Sequence, residues 1–417
     1  MIHFLTLKSM ANRKFTSFLC VLSIALSVTL FLGVERMREG AKDGFTNTIS
    51  GVDLIVGAKG GALQLLLYTV FHLGSAVNNV RMSTYNEIKS HRSVEWAIPI
   101  SLGDNYRGHR VIATDENFFL HYQFRGDQKI KFADGTMPLN IFDVVLGSAV
   151  ANKLKHRLGD PISLTHGTNE SSLYQHEKTP FKVVGMLAPT STPIDNAVII
   201  NLYGMEAMHV GWESGVPTGD VIDPTRYQKE NLEINQITSF MLKLKSRIAV
   251  LKMRRTIDTF EAEPVMAIIP GMALSEMWQT LGAIEKILFL ISGCVLIVGL
   301  VSIVISLYTS INERRREMAI FRSLGAKSQS ILALIVYEAM ILVSSGIILG
   351  VTLLYTAIFA LKPLLESRFS IYLENTFLTS TEWGMLLFIF IFGVLAGLIP
   401  GVKAMQRTLQ DGLIIKN

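Results

Sequence analysis

The chain has 417 residues, of which 49% are hydrophobic and 18% are charged, a balance too apolar for a soluble protein of this size. Its two cysteines, Cys20 and Cys294, both lie within apolar runs, which excludes a disulfide framework and a cysteine-ligated zinc site. The net charge of +5 would suit nucleic acid only if it were clustered on a folded surface, and the positions of the basic residues exclude that interpretation.

Four apolar segments are long enough to cross a bilayer, because about 20 apolar residues in a helix span roughly 30 Å of hydrocarbon. They are residues 15–34, 287–311, 331–361 and 384–399, where Pro400 is predicted to end the last helix. A cleaved signal peptide is the alternative for the first segment, since basic residues precede it. The segment is long for a signal peptide and no A-x-A-like site follows it, which favours an uncleaved anchor.

The basic residues near the span ends predict the orientation of the chain. Residues 1–14 contain three basic and no acidic residues, the loop 312–330 contains five against two, and the tail 400–417 contains three against one. Positively charged flanks are retained in the cytoplasm. We therefore expect these three stretches to be cytoplasmic, and residues 35–286 and the loop 362–383 to be periplasmic, with no nucleic-acid partner.

Residues 35–286 are predicted to form an α+β domain with two subdomains, because short strand-like runs such as Val94–Ile100 recur with helices between them. The predicted fold class is an α-helical membrane protein with four transmembrane helices and a large α+β extracytoplasmic domain inserted between the first and second. The most apolar stretch of the domain, residues 63–73, is too short to span a membrane and is predicted to be a buried helix. A hydrophobic lining for a greasy substrate is the alternative.

Ser148 is predicted to cap a helix that Gly159 ends, with Val150, Leu154 and Leu158 on its buried face. Between Thr238 and Lys245, alternating apolar residues predict a strand.

The sequence offers little catalytic chemistry. Eight of the nine histidines lie in the outer domain, but none has the H-E-x-x-H pattern, so no metal site is predicted; a metal-linked transporter subunit stays open as an alternative. Neither a G-x-S-x-G elbow nor a G-x-x-x-x-G-K-[ST] phosphate loop occurs. We expect no catalysis and no cofactor in this chain.

Small residues in the spans are spaced for close helix packing. Gly346 and Gly350 stand four residues apart in the third span, as do Gly393 and Gly397 in the fourth. We expect two copies of the chain to meet through these faces. Glu338 is the only acidic residue inside a predicted span, and its position near the cytoplasmic end favours a structural role over a functional one.

The loop 312–330 is amphipathic if helical. Met318, Phe321 and Leu324 then share one side, the arginines lie on another, and Gly325 is positioned to end the helix. Such a helix can dock in a groove of a soluble partner and transmit its motion. The alternative is a basic loop bound to lipid headgroups.

In this loop the chain resembles the FtsX-like permeases of ABC transporters, a family that includes macrolide exporters and lipoprotein-release permeases. The matching residues are Glu313, Arg314, Arg315, Arg316, Glu317, Met318, Phe321, Arg322, Leu324 and Gly325 in the loop, Glu338 with Gly346 and Gly350 in the third span, and Gly397 and Pro400 at the end of the fourth. The runs Val145–Leu164 and Phe181–Leu187 resemble that family's periplasmic core domain.

The resemblance implies a non-catalytic permease subunit in the bacterial inner membrane, working as a dimer with itself or a related permease. A cytoplasmic ABC ATPase that binds ATP and magnesium would dock on the matching loop residues. The cargo would be lipophilic, a peptide or a lipoprotein, and a periplasmic adaptor or substrate protein would take part. Because only fourteen residues precede the first span, we expect the ATPase on a separate chain. An ATP-independent receptor or scaffold is the alternative.

The predicted orientation can be tested with cysteine labelling. A membrane-impermeant thiol reagent added outside is expected to modify Thr168→Cys but not Ser328→Cys, because only the first position is predicted to be periplasmic. The parent chain, whose Cys20 and Cys294 lie in apolar runs, is the unlabelled control. The reverse labelling pattern would contradict the orientation.

Overall fold

The computed structural model describes residues 13–46, 48–165, 181–210, 228–314, 325–369 and 377–407, together with Met318, Ile320 and Ser323. The chain divides into two compact units. The membrane unit comprises Met1–Gly40, Gly282–Pro363 and Leu373–Asn417, and the second unit comprises Ala41–Leu281 and Leu364–Tyr372.

Four long helices contain the predicted spans. They are membrane helix 1 (Lys14–Thr46), membrane helix 2 (Pro270–Glu313), membrane helix 3 (Ser328–Phe369) and membrane helix 4 (Ser380–Arg407). Their portions that are long and apolar enough to cross a membrane are Lys14–Gly40, Gly282–Glu313, Ser328–Leu361 and Ser380–Lys403. Four transmembrane helices are therefore present, as predicted.

Pro400 lies inside membrane helix 4 and does not end it, contrary to the sequence prediction. The helix continues to Arg407. Proline removes one backbone donor, and helices in membranes tolerate this because neighbouring groups satisfy the freed carbonyl.

The second unit is built on a ten-stranded sheet. Its strands and those of two small two-stranded sheets are β1 (Leu54–Ala58), β2 (Val80–Arg81), β3 (Val94–Tyr106), β4 (His109–Thr114), β5 (Gln123–Phe124), β6 (Gln128–Lys129), β7 (Phe132–Gly135), β8 (Asp143–Leu146), β9 (Pro161–Ile162), β10 (Phe181–Leu187), β11 (Val198–Asn201), β12 (Gln236–Ile237), β13 (Ser239–Leu244) and β14 (Val265–Ile268).

The strand order in the large sheet is β14-β1-β13-β3-β4-β11-β8-β10-β7, with β9 beside β10. The pairs β4–β11 and β8–β10 are parallel, and the other neighbours are antiparallel. One continuous sheet therefore runs through the region for which two subdomains were predicted. Helices of this unit are Ala62–Val70, Met82–Lys89, Glu116–His121, Ser148–Leu154, Leu202–His209 and Val250–Asp258.

Both faces of the large sheet are covered by apolar side chains. In β8, Val144 and Leu146 belong to one core and Val145 to the other, and all three are fully buried. The strand predicted between Thr238 and Lys245 is β13, in which Phe240 and Leu242 are buried on one face and Met241 on the opposite face. Strands covered on both sides carry continuous apolar runs, which explains their strong hydrophobicity.

The stretch 63–73 forms the buried helix Ala62–Val70, in which Leu65, Leu66 and Tyr68 are buried.

The predicted helix at Ser148 is shorter than expected. It begins at Ser148 after Gly147 and ends at Lys155, which adopts a left-handed conformation with φ of 56° in place of the predicted Gly159. The Ser148 hydroxyl does not cap the helix, because Gly147 holds the N-cap position; the hydroxyl hydrogen-bonds to the carboxylate of Asp195.

Asp195 organises the loop that precedes β11. Its carboxylate accepts hydrogen bonds from the Thr190 backbone N–H (2.9 Å), the Thr190 hydroxyl (2.7 Å) and the Ser191 backbone N–H (2.7 Å). Burial raises the pKa of Asp195, and these hydrogen bonds oppose that rise by stabilising the charged form. The loop thus depends on one acceptor for several donors.

We expect Asp195→Ala to lower the free energy of unfolding by about 2 kcal/mol, because several donors lose their acceptor at once. Thermal unfolding of the full chain in detergent measures this change. Asp127→Ala, at an exposed position, is the matched control and should change stability by less than about 0.5 kcal/mol. Equal effects of the two substitutions would mean that the Asp195 bonds contribute nothing.

Candidate functional site

The predicted packing glycines lie where helices of the same chain approach closely. A Cβ atom added at Gly346 would stand 2.5 Å from Ile24, and one added at Gly350 would stand 2.8 Å from Val28. Beside Gly350, the Thr29 hydroxyl donates to the Gly350 carbonyl oxygen at 2.9 Å. These glycines therefore allow membrane helices 1 and 3 to pack backbone against backbone.

Gly393 and Gly397 allow membrane helices 4 and 3 to pack closely against each other. Added Cβ atoms would stand 2.7 Å from Val343 and 2.6 Å from Ala339, respectively. All four glycines thus contact helices of their own chain. The space beside each glycine is filled within the chain, and the predicted meeting of two copies stays a prediction.

Glu338 is buried in the membrane unit, with 4% of its surface exposed. The Ser310 hydroxyl donates to Glu338 Oε1 at 3.1 Å, and Arg314 Nη1 lies 3.8 Å from Glu338 Oε2. A carboxylate in hydrocarbon needs such partners, since an unpaired charge there is costly. The contact joins membrane helix 3 to the end of membrane helix 2 and supports a structural role for Glu338.

The predicted coupling loop is described in part. Glu313, Arg314, Met318 and Gly325 lie within the described residues, whereas Arg315, Arg316, Glu317, Phe321, Arg322 and Leu324 lie outside them. Glu313 Oε2 is 3.2 Å from Arg13 Nε of membrane helix 1. Gly325 has φ of 92°, the left-handed conformation that was predicted to end the helix. Two ion pairs therefore fix the start of this loop to its neighbours.

Met318 does not lie on an exposed docking face. It is 2% exposed and packs in the apolar core shared by the four membrane helices. The Met318 N–H donates to the Arg314 carbonyl at 2.9 Å, and the Met318 side chain is buried. Ile320, which the sequence analysis did not single out, is 54% exposed.

A second buried ion pair was missed by the sequence analysis. Arg36 Nε of membrane helix 1 lies 2.5 Å from Glu382 Oε1, and Arg36 Nη2 donates to Glu382 Oε2 at 3.0 Å. Arg36 Nη2 also donates to the Tyr355 hydroxyl of membrane helix 3 at 3.0 Å. With Arg36 9% exposed and Glu382 fully buried, the pair ties membrane helices 1, 3 and 4 together.

A sequence signal for this pair existed. Thr379 and Glu382 stand at the spacing of a capping box, and the structure has its two bonds: Thr379 N–H donates to Glu382 Oε2 at 2.8 Å, and Glu382 N–H donates to Thr379 Oγ1 at 3.3 Å. The motif places the start of membrane helix 4 before Glu382, which puts this carboxylate inside the span. The partner Arg36 has no comparable signal.

Within the part of the chain that the structure describes, no three His, Cys, Asp or Glu side chains gather as a metal site would require. Among the outer histidines, His156 has Nε2 3.0 Å from the Tyr106 hydroxyl and Nδ1 3.3 Å from Asp160 Oδ2. Burial lowers the pKa of His72 to about 3, with Arg110 adding to the shift, so that its imidazole is neutral. His166 and His176 lie outside the described residues.

Known proteins match both parts of the chain. The family model of the MacB-like periplasmic core domain matches residues 17–259, and that of the FtsX-like permease C-terminal region matches residues 289–409. The chain is 21% identical over 414 residues to the uncharacterized ABC transporter permease MJ1507 of Methanocaldococcus jannaschii, covering 94% of this chain and 92% of that protein. It is 33% identical over 159 residues to the uncharacterized ABC transporter permease YvrN of Bacillus subtilis, 37% of each chain.

Among solved structures, the extracellular domain of the noncanonic ABC-type transporter YknZ from Gram-positive bacteria aligns with a TM-score of 0.30 and 12% identity, covering 52% of this chain and 98% of that one. The four spans and the matched families define a multi-pass membrane permease of the ABC-transporter class. The chain belongs to the FtsX/MacB-type family of ABC transporter permeases, with its large α+β extracytoplasmic domain between the first and second membrane helices. The family resemblance and the fold class are confirmed.

We expect Arg36→Gln and Glu382→Gln each to lower the free energy of unfolding by about 3 kcal/mol, because each leaves a buried charge without its partner. The double variant should lose clearly less than the sum of the two, since no unpaired charge remains. Thermal unfolding of the full chain in detergent gives all three values. Arg38→Gln, in a pair whose arginine is one-third exposed, is the control and should have a smaller effect. Additive losses would show that the two groups do not interact.

Proposed function

We propose that the chain couples ATP hydrolysis by a separate cytoplasmic ATPase to motion of its extracytoplasmic domain, for export or extraction of a lipophilic, peptide or lipoprotein cargo. The family supports an ABC permease, and the sequence contains no phosphate-binding loop of its own. ATP and magnesium would be bound by the partner. The chain would act as a homodimer or with a related permease in the bacterial inner membrane, together with a periplasmic adaptor or substrate protein.

The observation that carries this proposal is how the loop after membrane helix 2 is held. Arg314 pairs with buried Glu338, and Met318 is buried four residues further on, yet Ile320 is 54% exposed. An exposed apolar side chain close to residues that are fixed to the membrane helices suits a partner's groove. A displacement of Ile320 by the bound ATPase would be transmitted to membrane helices 2 and 3 through the contacts of Met318 and Glu338.

The basic residues support a cytoplasmic position for this segment. The loop 312–330 contains five basic and two acidic residues, and residues 1–14 and 400–417 are also basic. By the rule that basic flanks stay inside, both termini and this loop would face the cytoplasm, where an ATPase can reach them. Phe321 and Leu324, which the sequence predicts to dock on the partner, are part of the same proposal.

We expect Ile320→Ala to weaken copurification of the ATPase by about tenfold, because an exposed apolar anchor that fills a partner's groove contributes about 1.4 kcal/mol or more. Ser323→Ala, an exposed position on the same segment, is the matched control and should leave copurification unchanged. The measurement is the amount of ATPase recovered with the tagged permease at a fixed concentration.

Met318→Ala distinguishes docking of the ATPase from anchoring of the loop to the membrane helices. Because Met318 is buried, its truncation should lower the free energy of unfolding by about 2–5 kcal/mol. Ile320→Ala should leave the free energy of unfolding nearly unchanged, because Ile320 is exposed. An ATPase that copurifies equally with the parent and with Ile320→Ala would contradict docking at this surface. If no ATPase copurifies with the parent chain, the ATP-independent receptor gains support over the proposed function.

A further inference from the structure

A groove of about 300 Å³ lies on the second unit, lined by residues from the helix Val250–Asp258 and from the start of the helix that begins at Pro270. Ile268, Ile269 and Ala273 give it an apolar lining, and Met272 in the same lining is 57% exposed. Apolar surface of this kind favours hydrocarbon over water. The groove is large enough for the polar end of an amphiphile and the first methylenes of its chain.

Two opposite charges share the groove with the apolar lining. Arg254 and Glu276 both line it. Arg254 Nε lies 3.5 Å from Asp258 Oδ2, and 40% of the Arg254 side chain is exposed, so this single contact does not occupy its five N–H donors. A guanidinium suits a phosphate, and a carboxylate suits an ammonium group. The charges therefore complement a zwitterion better than a simple anion.

The surface beside the groove combines basic and apolar side chains. Ile248 is 92% exposed and Leu251 is 68% exposed, and the exposed basic residues Lys252 and Arg255 follow them on the same segment. Exposed large apolar residues among basic ones are typical of segments that contact lipid headgroups.

The position in the chain also favours a lipid. Only Thr280 and Leu281 separate the lining residue Gln279 from Gly282, where the apolar portion of membrane helix 2 starts. The lining of the groove therefore ends, along the chain, two residues short of the apolar portion of a membrane helix.

We propose that this groove binds one molecule of an aminophospholipid of the phosphatidylethanolamine type. Arg254 binds the phosphate, Glu276 pairs with the ammonium group, and Ile268, Ile269 and Ala273 contact the adjoining methylenes. This lipid site is distinct from the coupling loop, and it does not depend on the proposed ATPase or on the cargo.

The test is photo-crosslinking of the full chain in nanodiscs that contain phosphatidylethanolamine and phosphatidylglycerol in equal amounts. A benzophenone side chain is introduced at Met272, and the lipid captured is identified by mass spectrometry. Phosphatidylethanolamine should be captured in excess. Arg254→Ala should lower that capture about tenfold, the change that loss of a charge-assisted contact of about 1.4 kcal/mol produces. Glu276→Gln should reduce the preference for phosphatidylethanolamine over phosphatidylglycerol.

Two controls separate a bound lipid from passing bilayer contact. Arg255→Ala removes an exposed arginine that is next in sequence to Arg254 but does not line the groove, and it should leave capture unchanged. A benzophenone at Thr280, outside the lining, should capture lipid with no dependence on Arg254. Capture at Met272 that ignores Arg254→Ala, or that prefers phosphatidylglycerol in the parent chain, would overturn the proposal. The ATPase is absent from this experiment, so its outcome is independent of the coupling model.

Discussion

A charged group inside a bilayer has no water to solvate it, and the membrane unit is organised around satisfying that constraint. Glu382 lies between Arg36 and the capping bonds of Thr379, and Glu338 lies between Ser310 and Arg314. Each carboxylate thus has more than one partner. The Arg36 cluster ties helices that are far apart in sequence, and the Glu338 cluster ties the consecutive membrane helices 2 and 3.

The same clusters define which membrane helices are joined by buried polar contacts. The Glu338 cluster holds membrane helix 3 to the end of membrane helix 2, next to the loop that carries Ile320. The Arg36 cluster joins membrane helices 1, 3 and 4. In the proposed coupling, a force applied at the loop would be shared among the helices. Such a connected unit fits the coupling role proposed for this permease.

The second unit obeys a different constraint. Its large sheet is covered on both faces, so the apolar side chains of strands such as β8, β11 and β13 alternate between two cores. In the loop before β11, the single acceptor Asp195 serves several donors. The groove lined by Arg254 and Glu276 is an exception to this pattern, because charged and apolar side chains there share one exposed surface.

The sequence by itself determined the four spans, the α+β class of the inserted domain and the family. The spans and the strands depend on local patterns of apolar residues, and the family is recognised from contiguous motifs. Tertiary structure decided the contacts. It placed Gly350 and Gly397 against helices of their own chain, buried Met318, left Ile320 exposed, and brought Arg36 to Glu382. Periodicity tells which face of a helix is apolar, but not which neighbour covers it. Pairing of charges 346 positions apart depends on the three-dimensional packing of helices, which no local pattern records.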